Sequence, residues 1–402
     1  MSSFALLLCL MAAPVDLSTA VQDAGLGLEL VTDAGAAAEI DGGAIEAVDA
    51  GVSDAGVPDA GADIKIIPVL APAYTPELSF LINAGGVLGW STPNAPRSSF
   101  TLIAGVSTNG SFITQARLTS YWLEDRIRLS GFVDVRDQPD HYFGVGFTSG
   151  FNTPQGKDTT FYRRTAWHVA PVFQVRMKEG WPLFFGAHFE HTGTLSRQIS
   201  EGVANDPDFQ ARGGAKVINA GLGFSLSWDS RDVPINPRKG LFLSLQWIGY
   251  GSWFLGTTQW SALTLDYRQT VTLVHEGTLN WQLKYRVAIG DAPWTDLSQL
   301  GTPWDLRAYR WGRYRDTSAA FGVVEFRYML PFKPNTIWAR LGVAGWVGVG
   351  AMGHDAVPNF LQLLPAVGVG LRIRLQDRAN IRIDFGVGRD SFAFYFQFLE
   401  AF

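Results

Sequence analysis

Residues 279–287 read Leu-Asn-Trp-Gln-Leu-Lys-Tyr-Arg-Val, apolar at every odd position and polar at every even one. A strand puts successive side chains on opposite faces, so this period yields one oily and one wet face. The same alternation returns in Leu241, Leu243, Leu245 and Trp247, in 324–328, in 371–375 and in 381–385. Its polar positions are charged: Arg126, Arg128, Arg136, Lys284, Arg286, Arg327, Arg372, Arg374 and Arg382. Two architectures accept such strands: a soluble sandwich with a charged outer face, and a barrel with lipid outside and water within. No run of about 20 apolar residues occurs, which excludes helical membrane spans.

Loop length separates the two. Segments with turn signals fall at 78–90, 97–108, 111–121, 125–136, 141–149, 160–177, 181–194, 215–230, 239–250, 258–274, 278–289, 319–330, 335–350, 363–375, 379–388 and 392–402. After even-numbered segments the connections are mostly tight, as at Asn109-Gly110, Lys178-Glu179-Gly180, His275-Glu276-Gly277, Phe332-Lys333-Pro334 and Gln376-Asp377-Arg378. After odd-numbered ones come the long loops 150–159, 195–214, 290–318 and 351–362. Sorting by parity is the habit of an outer-membrane barrel. The expected fold is therefore all-β: a 16-stranded antiparallel transmembrane β-barrel with a disordered N-terminal extension. An arginine facing lipid at midplane would cost roughly 2–4 kcal/mol, so the charged face turns inward and predicts a strongly cationic lumen.

The charge balance divides the chain. Residues 1–64 carry eleven acids and no Lys or Arg, leaving all 32 basic residues against 26 acids in the remainder. Residues 4–13 are a short apolar run before the small-residue site Ser18-Thr19-Ala20, which suits a secretion signal over 1–20. Cys9, the one cysteine, lies in that run and excludes an internal disulfide. Residues 21–70 repeat Asp-Ala-Gly and read as a disordered acidic spacer, with the barrel at 71–402.

Four segments carry a family resemblance. Residues 228–240 contain Asp229, Arg231, Asp232, Pro237 and Gly240 at the spacing D-x-R-D-x-P-x-x-P-x-x-G. Leu306-Arg307-Ala308-Tyr309 resembles a (V/I/L)-R-G-(F/Y) loop motif, Glu325 to Pro331 resembles a twelfth strand with an inward acid, and Val367 to Ile373 resembles a fourteenth. In this order they resemble the barrel of the BamA/TamA superfamily of outer-membrane assembly and translocation proteins, of the bacterial surface antigen type. The resemblance implies that loop 290–318 folds back as a lumen plug, with Arg307 reaching the inward acid Glu325 and Tyr309 packing at the tip. Two departures stand out. Ala308 replaces the motif glycine, which disfavours a left-handed backbone there. The acid expected on strand 13 aligns with Gly348, leaving Glu325 alone or another wall acid such as Asp384 to hold the arginine.

The terminal strand carries Phe394, Phe396, Phe398 and Phe402, similar to the terminal signal of outer-membrane barrels. With residues 78–90 it is expected to form a separable seam. About 57 residues of acidic spacer leave no room for periplasmic POTRA domains or a lipase domain, so the resemblance is to a barrel-only member. The implied role is non-enzymatic insertion or translocation of proteins or lipids in the outer membrane of a Gram-negative bacterium. The implied partners are membrane lipid, lipopolysaccharide, and nascent outer-membrane proteins or a separate periplasmic protein. The reading calls for no cofactor, metal or nucleic acid. His188 and His191, three apart on a strand, point to opposite faces and do not form a metal pair. A passive anion-favouring channel is the alternative function, and an outer-membrane hydrolase a minor one.

Overall fold

The computed structural model describes residues 64–92, 95–234, 236–332, 336–376 and 379–402. The signal expected at 1–20 and the spacer over 21–63 lie outside the described residues, as do Lys333-Pro334 and Asp377-Arg378 of two expected turns. Sixteen antiparallel strands close a barrel. They are β1 (Lys65–Thr75), β2 (Ser79–Trp90), β3 (Ser98–Ser107), β4 (Phe112–Trp122), β5 (Ile127–His141) and β6 (Phe161–Arg176). Next come β7 (Leu183–Arg197), β8 (Lys216–Asp229), β9 (Gly240–Tyr250), β10 (Trp260–Val274) and β11 (Gly277–Gly290). After a two-stranded ribbon of β12 (Ser298–Leu300) and β13 (Tyr314–Asp316), the wall resumes with β14 (Ser318–Met329) and β15 (Leu341–Gly353). It ends with β16 (Leu364–Gln376), β17 (Ala379–Gly388) and β18 (Phe392–Phe398).

Alternation sets the two faces. Leu222, Phe224 and Leu226 of β8, Leu243, Leu245 and Trp247 of β9, and Val367, Val369 and Leu371 of β16 are exposed on the outer wall. Their polar neighbours Ser225, Ser244, Asp266, Gln282, Arg286 and Arg372 are buried inside. The long connections, 142–160, 198–215, 291–317 and 354–363, share one mouth, and the tight ones 123–126 and 275–276 lie at the other.

The sequence-based strand list reaches sixteen through two errors that cancel. It omits β1, which starts at Lys65, six residues inside the segment read as spacer. It counts a strand at 141–149, where β5 ends at His141 and a loop leads into the short helix α1 (Phe147–Asn152). Gly144 (φ 82°) and Gly146 (φ 92°) turn this stretch out of the wall. The barrel therefore closes between β1 and β18, so the pair of strands expected to meet at a seam is β1 and β18 rather than 78–90 and the terminal strand.

That seam is weakly bonded. β1 pairs with β2 along its whole length, from Lys65↔Gly89 to Thr75↔Ser79, but with β18 only at Tyr74↔Phe396. Thr108 N donates to Phe80 O (2.9 Å), so Phe80 turns its backbone groups toward β3. Its partner Tyr74 consequently turns its own toward β18, and so does every second residue of β1. Two of these are Pro68 and Pro72, which have no N–H to give. Side-chain packing takes over, as Ile67, Val69 and Ala71 cluster with Phe398 and Val87.

Candidate functional site

Three neighbouring strands carry a Gly-Val-Gly run: Gly348 and Gly350 on β15, Gly368 and Gly370 on β16, and Gly386 and Gly388 on β17. The valines face lipid and the glycines the lumen, so the inner wall loses its side chains over a patch three strands wide. Gly368 pairs with both Trp346 and Gly386, and Gly348 with Ala366. Loop 291–317 lies in this trough. A Cβ on Gly386 would sit 1.8 Å from Arg307 O, one on Gly388 2.6 Å from the Tyr309 ring, and one on Gly350 2.7 Å from Leu306.

The loop is a hairpin with β12 and β13 as its stem, and Trp294, Leu297, Leu300, Leu306, Tyr309 and Tyr314 are buried. Asp305 accepts from the backbone N–H groups of Gly301 (3.2 Å), Thr302 (2.5 Å) and Leu306. The Tyr309 hydroxyl donates to Pro365 O (2.5 Å) and accepts from Arg389 N (2.9 Å). Ser391 Oγ donates to Ala308 O (2.8 Å). Ala308 is absent from the left-handed residues, so the tip does not require the glycine it replaces. At the long-loop mouth Trp294 meets the rings of Tyr142, Tyr162 and Phe209 edge-on or tilted, which covers the loop from above.

Arg307 has no exposed surface. Its guanidinium donates to Asp384 (2.8 Å) and to Glu325, and lies 4.5 Å from the centroid of the Trp346 ring. Thus Glu325 and Asp384 both face the loop arginine, although Gly348 offers none of the expected charge. Arg327 and Arg372 also bind Glu325, and Arg372 (2.7 Å) and Arg382 (3.1 Å) bind Asp384. Arg382 further donates to Pro303 O of the loop (2.9 Å). Burying this many charges is tolerable only because each has opposite charge within hydrogen-bond reach.

Acids recur beside the other lumen arginines. Arg128 bonds Asp125, Arg136 bonds Asp134, Arg164 bonds Asp140 and Arg268 bonds Asp266. The inner wall is a lattice of ion pairs rather than the uniformly cationic surface expected from the arginines. Alternate-face reasoning located the arginines but left out the acids two or three residues before them, Asp125, Asp134 and Asp266; only the pairing of Arg164 with Asp140 needs the register of neighbouring strands.

The 228–240 motif builds the turn between β8 and β9. Arg231 forks onto Asp229 (2.9 and 2.8 Å), reaches Pro234 O (3.2 Å) and stacks on Phe242, while Asp232 accepts from Arg238 N (2.9 Å). Pro237 lies within this turn, and Gly240 leaves it at φ 119°. In β18, Phe394 and Phe396 are half-buried on the outer face and Phe398 is buried, whereas Phe402, expected in the same strand, lies beyond its end and is also buried. His188 and His191 do diverge: His188 Nε2 meets Ser225 Oγ inside (2.8 Å), and His191 meets Trp167 and Phe254 O. The other ring nitrogen of His188 faces Gln246, with no carboxylate on it to orient a serine-activating base. Among the described residues no group of three or more His, Cys, Asp or Glu is placed to hold a metal.

Residues 80–401 match the Omp85 superfamily domain. The barrel is similar to that of BamA from Haemophilus ducreyi lacking POTRA domains 1–3, with TM-score 0.54 and 12% identity over 85% of this chain and 75% of that one. It is also similar to CdiB from Escherichia coli (TM-score 0.53, 9% identity, 84% and 67% covered) and CdiB from Acinetobacter baumannii (TM-score 0.50, 12% identity, 84% and 65% covered). At these identities the likeness is one of fold. No curated protein matches the chain.

Proposed function

The chain belongs to the Omp85 superfamily, and from that premise we propose that it inserts or translocates polypeptide at the outer membrane of a Gram-negative bacterium. It does so without chemistry of its own, through a seam between β1 and β18, with loop 291–317 as the plug that keeps the lumen closed meanwhile. The observation that carries this reading is the seam's bonding: one paired position and two prolines on the β1 edge. An unbonded strand edge is a template for another strand. β18 adds a second feature, with seven residues against sixteen in β6. At about 3.3 Å per residue and a tilt near 45°, seven residues rise about 16 Å, short of the roughly 25 Å apolar band of such barrels. Lipid beside the seam must thin to meet it, which lowers the barrier to lateral entry.

The partners in this reading are outer-membrane lipid and lipopolysaccharide at the wall, and nascent outer-membrane proteins, supplied directly or by a separate periplasmic protein. A passive anion channel is the poorer reading, because the loop fills the lumen and acids accompany its arginines. The test compares outer membranes with and without the chain. Loss of particular barrel proteins with lipid asymmetry intact supports polypeptide handling. Altered lipid asymmetry with an unchanged protein set moves the substrate to lipid.

A further inference from the structure

Leu399 adopts φ 63°, a left-handed turn that a leucine takes only when its surroundings impose it. There the chain leaves the wall and enters the lumen at the short-connection mouth. Leu399, Glu400, Ala401 and Phe402 are all buried, at 8, 6, 4 and 7% exposure. Glu400 accepts from Asn380 Nδ2 (2.7 Å) and Arg372 Nε (2.8 Å). Phe402 O accepts from Arg327 Nη2 (2.9 Å), and its ring lies 5.3 Å from that guanidinium. The segment is held as a ligand is: the acid lies between Arg372 and Arg327 (2.8 and 3.4 Å), and Arg327 also takes the aromatic ring and the carbonyl.

Beside it a partly open cleft of about 50 Å³ is lined by Arg327, Arg372, Arg374, Asn380 and Glu400, too small for a second peptide, so an incoming segment must displace the resident. Arg327 is 6% exposed, and its Nη1 is buried without a hydrogen-bond partner. Its charge is met by Glu325 and Glu400, but a buried N–H without an acceptor is costly, so the present occupant does not use all that the site offers.

We propose that this mouth is a peptide-binding site for an extended segment carrying an acidic side chain two residues before an aromatic one, and that residues 399–402 are its resident, exchangeable occupant. The site also communicates with the plug. Arg327 and Arg372, which hold the resident, are the residues that share Glu325 and Asp384 with Arg307. Because the resident continues directly from β18, strand and occupant leave together, and an incoming peptide takes over the two arginines as they do. The proposal deepens the seam reading, on which the identity of the incoming strand rests, but binding to purified protein tests the site whether or not the seam opens.

The probe is a fluorescein-labelled peptide Phe-Gln-Phe-Leu-Glu-Ala-Phe, titrated into the full chain in detergent and followed by anisotropy. The chain with Glu400→Gln and Phe402→Ala, whose site is vacated, is expected to bind at least tenfold tighter than wild type. Adding Arg327→Ala returns binding to the wild-type level, and replacing Glu by Gln in the probe weakens it at least tenfold. Equal binding by wild-type and vacated chains, or no preference over the Gln probe, overturns the proposal. A second measurement keeps the native occupant. With Cys9→Ser and Ala401→Cys, saturating unlabelled peptide should speed maleimide labelling of the buried position at least fivefold, and an unchanged rate overturns exchange.

Discussion

Replacing Arg307 by Ala removes two charge-assisted hydrogen bonds, to Glu325 and Asp384, and the stacking on Trp346. The surrounding charge decides what that costs. Arg307, Arg327, Arg372 and Arg382 face Glu325, Asp384 and Glu400, four cations against three anions. Without Arg307 the set balances. Glu325 keeps Arg327 and Arg372, and Asp384 keeps Arg372 and Arg382. No acid is stranded, so the 3–5 kcal/mol typical of an orphaned buried charge does not apply. What is lost is the bonds, each about 1.5–3 kcal/mol, partly recovered as the remaining arginines close on the acids. A net loss of about 3 kcal/mol raises the loop-out population about a hundredfold, at a tenfold change per 1.4 kcal/mol. The cost falls on loop docking and leaves the strand ladder intact. Planar-bilayer recording is the assay: wild type should be closed nearly all the time, and Arg307→Ala should show openings about a hundred times more often, with unchanged heat-modifiable migration. Equal open probability in the two, whether both closed or both conducting, would refute the plug. Glu325→Gln is the contrast, because it leaves four cations against two anions and should lower the stability of the barrel itself.

Gly386→Ala should open the loop at least as often as Arg307→Ala, since the new Cβ would lie 1.8 Å from Arg307 O; wild-type conductance in this variant would show that the tip does not need the trough. Burial pushes the Asp296 and Asp305 carboxyls in the loop up to about 6, outweighing Arg286 near the first and the backbone donors around the second. Their neutral forms favour the docked loop, so this contribution is complete below about 3.9, the unfolded value, and is lost as pH rises through about 6. Openings should therefore become more frequent between about pH 4 and 6, and Asp296→Asn should make that rise shallower; a profile without slope in wild type would count against it. Pro68→Val with Pro72→Val returns two donors to the β1 edge, worth about 0.5–1.5 kcal/mol each. Hydrogen exchange of β18 amides should slow and insertion activity fall together, and faster exchange would mean that the prolines do not face the seam.

The barrel was legible in the sequence because its physics is local. Alternation over 279–287 needs nothing beyond the segment itself, and the paired Asp229 and Arg231 form their turn two residues apart. β1 escaped because Pro68 and Pro72 interrupt the pattern and its lumen face is apolar, with Ile67, Val69 and Ala71 where other strands place charge. The same features make it the weak edge. Residues 141–149 misled because Gly144 and Gly146 alternate with larger residues as wall glycines do, while their positive φ bends the chain away. At the loop, Arg307, Glu325 and Asp384 were accessible through a motif, whereas the trough of Gly348, Gly368 and Gly386 was not. The Gly-Val-Gly runs were visible in three strands, but only the register places them side by side. Glu400 was overlooked for a related reason, since alternation carried the strand through to Phe402 and gave no sign of the turn at Leu399.

If the β1–β18 seam opens during insertion, a covalent lock across it must stop the process. With Cys9→Ser in the background, cysteines in place of Tyr74 and Phe396, the one pair in register, lock the seam on oxidation. In proteoliposomes the oxidised chain should fail to insert an unfolded barrel protein, and reduction should restore insertion. An oxidised chain that inserts at the unlocked rate would contradict the account.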